Sequence, residues 1–248
     1  MVWRFKSLLA SWLCLAAGLV SAQTTAASPP VTTYLTPEAL FQANPLPRWP
    51  PAGSAAAAAD LQAVLAAQRL RTPADMQEAL ADASRGPVAW AQDAAALGAT
   101  FTEQRYPATT ALLLAMHEDM RAINRAGNAQ NGHRARPGVL DNRVVSVFAD
   151  NLTHTASYPS ARSASSRVWA LLLSDVFPER RTALLAHAER TAQLRLLGGA
   201  HFPSDISAGK QVGDAYYAHA SNNPAFQRAL QKATEESAAD HLKVSFRL

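Results

Sequence analysis

The chain has 248 residues, a formal net charge of +4 at pH 7 and one cysteine. Without the two basic residues near the N terminus the charge is +2, which is too small to indicate nucleic acid or an anionic membrane surface as a partner. One cysteine cannot form an intrachain disulfide, so a chain of this length must rely on a hydrophobic core, most simply in one domain.

Residues 1–22 have the pattern of a secretory signal peptide. Arg4 and Lys6 precede an apolar run at residues 8–20, and the small residues Ser21 and Ala22 supply a cleavage site. The run is too short for a stable transmembrane helix, and Cys14 would leave with it. The sequence therefore predicts a periplasmic or secreted protein with no membrane segment after cleavage.

Residues 23–54 are rich in proline, serine, threonine and alanine. Prolines interrupt any helical run, at positions 29, 30, 37, 45, 47, 50 and 51. We interpret this segment as an N-terminal arm that lies over the domain or hangs free, and residues 55–248 as the domain itself.

From residue 55 onward, apolar residues recur at helical spacing between clear start and stop residues. Residues 55–71 form one predicted helix, and Thr72-Pro73-Ala74-Asp75 has the pattern of a capped start of the next. Pro107 opens a third helix that we expect to end at Gly127, and the turn dipeptides in residues 128–142 predict a loop.

The second half of the domain follows the same pattern. A helix is predicted for residues 160–176, another starts at Pro178 and stops at Gly198-Gly199, and Pro203 and Pro224 open the last two. The best strand candidate, residues 144–148, is short. Many amphipathic helices joined by short loops predict an all-α bundle.

Three segments carry residues that could take part in catalysis or in anion binding. In "LRLLGGAHFPSD", Pro203 in a first helical turn would put Asp205 near the third position, where it can accept a hydrogen bond from His201 and leave the other ring nitrogen as a nucleophile. "RARP", at residues 134–137, carries guanidinium groups in a loop, and "SYPSARS" places Ser160 at a helix start, which is an anion-binding position. Each segment also has a purely structural explanation as a helix cap or a solvated loop.

Together the three segments resemble the signature of the phosphatidic acid phosphatase type 2 superfamily: Lys-x6-Arg-Pro, then Pro-Ser-Gly-His, then Ser-Arg-x5-His-x3-Asp. Within it the chain is most similar to the secreted class A bacterial nonspecific acid phosphatases, including its tail "NNPAFQRALQKA". The resemblance covers about residue 55 to the C terminus. It implies an all-α helical bundle of the phosphatidic acid phosphatase type 2 / haloperoxidase type.

The resemblance also implies roles for the matched positions. His201 would attack phosphorus and carry a phosphohistidine, and Asp205 would orient it. The phosphate oxygens would be held by Arg136, Ser160 and Arg195. Arg162, which is not a matched residue, would add a further charge to this phosphate site. The expected substrate is a small phosphorylated molecule, with no metal, no cofactor and no nucleic acid, and homo-oligomerisation is left open.

Four family positions are changed, to Ala129, Ala161, Arg162 and Leu194. Arg162 stands where the family has the histidine that protonates the leaving alcohol, and an arginine does not release its proton. Arg134 can supply the charge of the lysine that Ala129 replaces, and His133 or His154 could take over as the acid.

The sequence thus favours an acid phosphatase with slow or leaving-group-dependent turnover. The alternative is a catalytically impaired relative that binds phosphate or a phosphorylated ligand. Vanadate-dependent peroxidase chemistry, which uses a related site, is a third hypothesis. Because a pure binding protein has no need of an oriented nucleophile, the pair of His201 and Asp205 favours the enzyme.

Overall fold

The computed structural model describes residues 33–93, 95–148 and 154–245, with side chains up to residue 240. The predicted signal peptide at residues 1–22, with Cys14, and the start of the arm at residues 23–32 lie outside the described residues. The signal peptide and the domain boundary at residue 55 stay predictions.

The regular secondary structure of the described residues is helical, and they contain no strand, so the predicted all-α fold is confirmed. Residues 144–148, the best strand candidate, are not a strand. No helix in this part of the chain is both long and apolar enough to cross a bilayer. The helices are α1 (Pro37–Ala43), α2 (Ala55–Leu70), α3 (Pro73–Ser84), α4 (Pro87–Ala91), α5 (Pro107–Gln130), α6 (Pro137–Leu140), α7 (Ala161–Val176), α8 (Arg181–Leu197), which follows a 3₁₀ turn at Pro178–Arg180, α9 (Pro203–Ala220) and α10 (Pro224–Ser245).

Local capping explains most of the helix starts. Thr72 and Asp75 form the expected capping box at the start of α3, and prolines occupy the first turn of α3, α5 and α9. The expected stop at Gly127 is wrong, because α5 continues to Gln130. A Cβ at residue 127 would lie 3.2 Å from the side chains of both Phe41 and Leu46, so this glycine makes room for the arm.

The described part of the arm packs on the bundle. Prolines do not exclude a helix there, since Pro37 occupies the first turn of α1. Tyr34 and Phe41 are buried in the main core, and the Tyr34 amide donates to the Asp119 carboxylate at 2.8 Å. Further along, the ring of Trp49 lies 5.6 Å from that of Tyr158, so the arm supports the segment that leads into α7.

Helix α7 lies at the centre and packs against α5, α8, α9 and α10. Two glycines let α9 approach it closely. A Cβ at Gly209 would lie 2.4 Å from the Ser160 carbonyl oxygen, and one at Gly213 would lie 2.7 Å from that of Ala164. The N terminus of α7 therefore lies directly against the N-terminal half of α9.

Candidate active site

The break between α8 and α9 brings His201 to the start of α9. Gly198 caps α8, and Gly199 has φ +70°, a left-handed conformation that turns the chain. A Cβ on Gly198 would lie 2.4 Å from the ring of Phe148, so only glycine fits beneath that side chain. The two glycines thus end one helix and set the entry of the next.

His201 is 4% exposed, and its two nitrogens have partners of opposite kinds. Nδ1 lies 2.8 Å from the Ser157 carbonyl oxygen, and Nε2 lies 3.1 Å from Nη1 of Arg136. A carbonyl can only accept and a guanidinium can only donate, so both contacts require the tautomer with its proton on Nδ1. The Nε2 lone pair is therefore the available nucleophile.

Burial lowers the pKa of His201 to about 4. The nearby carboxylate of Asp205 raises this pKa, whereas the positive charges of Arg136 and Arg195 lower it further. The imidazole accordingly stays neutral in mildly acidic solution.

Asp205 is fully buried, but it does not bond to the histidine ring. Its Oδ2 lies 3.7 Å from Nδ1 of His201, beyond hydrogen-bond distance. That oxygen instead accepts from the Ser157 hydroxyl at 2.6 Å and from the Phe202 amide at 2.8 Å. The direct Asp205 to His201 hydrogen bond expected from the sequence is absent, because Nδ1 bonds to the Ser157 carbonyl instead.

Arg136 spans the gap between two loops. Its Nη1 also donates to the Ala200 carbonyl at 2.9 Å, and Nη2 donates to the Ala156 carbonyl at 3.2 Å. Burial lowers the pKa of Arg136. The guanidinium thus sits at the unprotonated ring nitrogen of His201.

Arg195 is a buried arginine of the predicted site with unused hydrogen-bond donors. Its side chain is 5% exposed, and neither Nε nor Nη1 has a hydrogen-bond partner in the described part of the chain. The guanidinium lies 4.0 Å from the centre of the Phe148 ring, and burial lowers its pKa to about 10. A buried cation with unused donors is suited to an anion.

Ser160 is the N-cap of α7 and is completely buried. Its hydroxyl pairs with that of Ser163 at 3.0 Å, and its amide donates to the Asp205 carbonyl at 3.0 Å. The first amides of α7 have no acceptor within the helix, which gives this end of the helix a positive partial charge. Ser160 marks the start of α7, and its own hydroxyl is already hydrogen-bonded to that of Ser163.

Arg162 turns away from this group toward α3. It donates to both oxygens of the Asp82 carboxylate, at 2.9 and 3.0 Å, and to the carbonyls of Asp82 and Arg85. Its guanidinium also lies 5.2 Å from the centre of the Trp169 ring. The predicted role of Arg162 in phosphate binding stays a prediction, and the donors that would serve it are engaged elsewhere.

The contacts of Arg134 could not be predicted from the sequence. Instead of replacing the charge of the missing lysine, it is paired with Asp60 at 2.8 Å and with Asp205 at 2.5 Å. Ser157 and Asp60 were also overlooked. The one available signal was that Asp60 is a lone aspartate after the alanine run that begins α2. His133 and His154, the proposed substitutes for the acid, are exposed.

The described residues include no group of three or more His, Cys, Asp or Glu side chains arranged to hold a metal ion. The polar groups around His201 are guanidiniums, backbone carbonyls and one carboxylate.

Comparison with known proteins agrees with the motifs. The chain is 37% identical to a non-specific acid phosphatase of Salmonella typhimurium over 123 residues, covering 46% of this chain and 49% of that protein. It is 32% identical to a non-specific acid phosphatase of Providencia stuartii over 160 residues, covering 64% of each. A lipid A 1-phosphatase of Rhizobium johnstonii is 34% identical over 82 residues, covering 32% of this chain and 34% of that protein.

No family model matches the chain. The chain spans from about 40% to under two thirds of the length of the non-specific acid phosphatases it matches. The identities of 32–40% to these proteins confirm the resemblance to the class A acid phosphatases of the phosphatidic acid phosphatase type 2 superfamily that the three motifs predict.

Proposed function

We propose that the protein is a phosphoric monoester hydrolase that uses His201 as its nucleophile. The observation that carries the proposal is the pair of contacts on the His201 ring, which direct an unprotonated Nε2 toward Arg136. A phosphatase needs an oriented nucleophile next to cationic groups that hold the phosphate, and both are present.

In the first step a substrate phosphate accepts the hydrogen bond that Nη1 of Arg136 donates to Nε2 in the free protein, which frees the Nε2 lone pair. The lone pair of Nε2 then forms a bond to phosphorus, and the bond between phosphorus and the ester oxygen breaks. Negative charge on the phosphoryl oxygens is stabilised by Arg136, by the unpaired donors of Arg195 and by the first amides of α7. The Nδ1 proton stays on the ring, shared with the Ser157 carbonyl.

In the second step water attacks phosphorus, and the bond to Nε2 breaks. Inorganic phosphate leaves and the neutral imidazole is restored. The alcohol released in the first step takes its proton from solvent, since Arg162 cannot donate one and is bonded to α3. The proposed enzyme is therefore slow on substrates whose leaving group must be protonated.

The setting we propose is the periplasm or the extracellular medium, because the sequence of residues 1–22 has the pattern of a signal peptide. The lowered pKa of His201 suits such a setting, since the nucleophile stays unprotonated where the medium is mildly acidic.

Hydrolysis of p-nitrophenyl phosphate tests the proposal. We expect turnover by the native chain and its loss in His201→Asn. His219→Asn, a matched substitution at the other end of α9, should keep native activity.

One observation favours a second function. Arg162 is bonded to Asp82, and Ala129 stands where the signature has a lysine. Both features fit a protein that binds phosphate without hydrolysing phosphate esters. Absence of hydrolysis together with saturable phosphate binding, detected as a rise in melting temperature, would establish that alternative.

A further inference from the structure

Ser157 connects the nucleophile to the rest of the site through three hydrogen bonds. Its carbonyl accepts from Nδ1 of His201 at 2.8 Å, its hydroxyl donates to Asp205 at 2.6 Å, and its amide donates to the Arg134 carbonyl at 2.8 Å. The residue is completely buried. The atom that orients the histidine is thus a backbone oxygen, whose position depends on what holds Ser157.

Asp205 holds Ser157 and is itself clamped. Nη1 of Arg134 donates to its Oδ1 at 2.5 Å, and Nη2 of Arg134 reaches Asp60, on α2, at 2.8 Å. All three side chains are less than a tenth exposed. With a carboxylate on each side, the charge of Arg134 is compensated, so this arginine is not available to a phosphate.

The clamp also fixes the start of α9. Asp60 accepts from the amide of Ser204 at 3.2 Å and from its hydroxyl, and that hydroxyl also contacts Nη1 of Arg134 at 2.7 Å. The Arg134 guanidinium lies 4.2 Å from the centre of the Phe202 ring. Helix α2, which carries no signature residue, is in this way tied to the start of α9, directly after His201.

We propose that Ser157 and Arg134 are positioning residues for His201. The Ser157 carbonyl selects the tautomer with its proton on Nδ1. Arg134, anchored by Asp60, holds the Asp205 carboxylate that keeps Ser157 in place. The kinetic part of this inference rests on the proposed function, whereas the tautomer of the ring can be measured without it.

Two variants test the inference. Ser157→Ala removes the hydroxyl bond to Asp205 but keeps the carbonyl, and Arg134→Lys keeps the charge but cannot bond to Asp60 and Asp205 at once. We expect kcat for p-nitrophenyl phosphate to fall about 100-fold in each, with KM nearly unchanged, because the nucleophile is displaced and the phosphate ligands remain. Asp60→Asn should give a smaller fall in kcat in the same direction.

Matched controls separate positioning from loss of a buried polar group. Ser174→Ala removes a buried hydroxyl of α7 that donates to Ala170 at 2.6 Å, and Arg190→Lys alters an arginine that bridges Glu78 and Asp75. Both should keep native kcat. Melting temperatures of all variants show which of them are folded.

The readout that is independent of activity is the ¹⁵N NMR spectrum of the histidine rings. In the native chain we expect His201 with a protonated Nδ1 and an unprotonated Nε2, and in Ser157→Ala and Arg134→Lys a mixture of both tautomers. An inactive native chain that still shows this change would refute the proposed function and support the positioning role.

An active native chain whose folded Ser157→Ala and Arg134→Lys variants keep both native kcat and the native ring spectrum would overturn the positioning role. If one of these variants does not fold, the other and Asp60→Asn decide by the same two measurements.

Discussion

Arg162 and Arg195 lie on neighbouring helices, α7 and α8, and both side chains are largely buried, but their donors have opposite surroundings. Arg162 is bonded to both oxygens of Asp82, on α3, and to the backbone carbonyls of Asp82 and Arg85, which follows α3. Arg195 has no partner for Nε or Nη1 among the described residues. The first arginine joins two helices, whereas the second has two buried donors without a partner in the part of the chain that the structure describes.

The difference shows that a residue can occupy a signature position without having the chemical role that the signature implies. Arg162 occupies a signature position and is used for packing, while Arg134 and Ser157 lie outside the matched positions and bond to Asp205. Leaving a buried cation unpaired costs stability, and the proposed function accounts for the donors of Arg195 as phosphate ligands. The predictions below test this contrast, beginning with the largest expected effect.

The largest effect concerns the leaving group. Because Arg162 cannot act as a general acid, hydrolysis of glycerol phosphate should be slower than that of p-nitrophenyl phosphate by about 10²–10⁴-fold in kcat/KM. Steady-state rates on the two substrates measure it. Equal rates would mean that another acid is at work, and His133→Ala and His154→Ala would then identify it.

The second effect concerns the stability provided by Arg162. Asp82→Ala leaves that guanidinium buried without its carboxylate, and we expect the free energy of unfolding to fall by about 3–5 kcal/mol. Urea denaturation measures the change. The control is Asp214→Ala, which removes the half-exposed partner of Arg167 and should cost less than about 1 kcal/mol. A similar small loss for both variants would contradict the structural role of Arg162.

The third effect concerns Arg195. Arg195→Met should lower kcat/KM by about 10²–10³-fold, because donors to the phosphoryl oxygens are lost. It should also abolish the rise in melting temperature that phosphate produces, without lowering the stability of the ligand-free protein. Arg190→Met, on the same helix, should keep the phosphate response. A phosphate response that survives in Arg195→Met would place the anion elsewhere.

The smallest effect concerns pH. The pKa of His201 is lowered to about 4, mainly by burial, so kcat/KM should fall only below about pH 4, where the ring takes up a proton and loses its nucleophilic lone pair. Because the charge of Arg195 also lowers this pKa, the acid limb of the pH profile should move to higher pH in Arg195→Met. An acid limb that starts near the ordinary histidine value in the native chain would show that the ring is not buried as described.

Most of the fold could be predicted because helix ends depend on nearby residues. The capping box of Thr72 and Asp75 and the prolines that open α3, α5 and α9 act within one turn. The helix end predicted at Gly127 was wrong because this glycine does not end a helix. It leaves space for the side chains of Phe41 and Leu46 in the arm. Helix α1 was missed for a similar reason, since tertiary packing of Leu40 and Phe41 stabilises a short helix among prolines.

The candidate site was predictable only in part. Motif spacing identified His201, Arg136 and Arg195, which influence one another electrostatically in the structure. The clamp of Asp60, Arg134 and Ser157 was not predictable, since it joins residues about 25 to 100 positions apart that approach only through tertiary packing. For the same reason the sequence could not show that Asp82, on α3, would occupy Arg162.

The central claim is that His201 accepts the phosphoryl group, and trapping the intermediate tests it most directly. The protein would be mixed with p-nitrophenyl phosphate and quenched within milliseconds in an alkaline denaturant, and mass spectrometry would locate any protein-bound phosphate. We predict an acid-labile, base-stable phosphate on the peptide that contains His201, and none in His201→Asn. Phosphate on a different residue, or hydrolysis that persists in His201→Asn, would contradict the account.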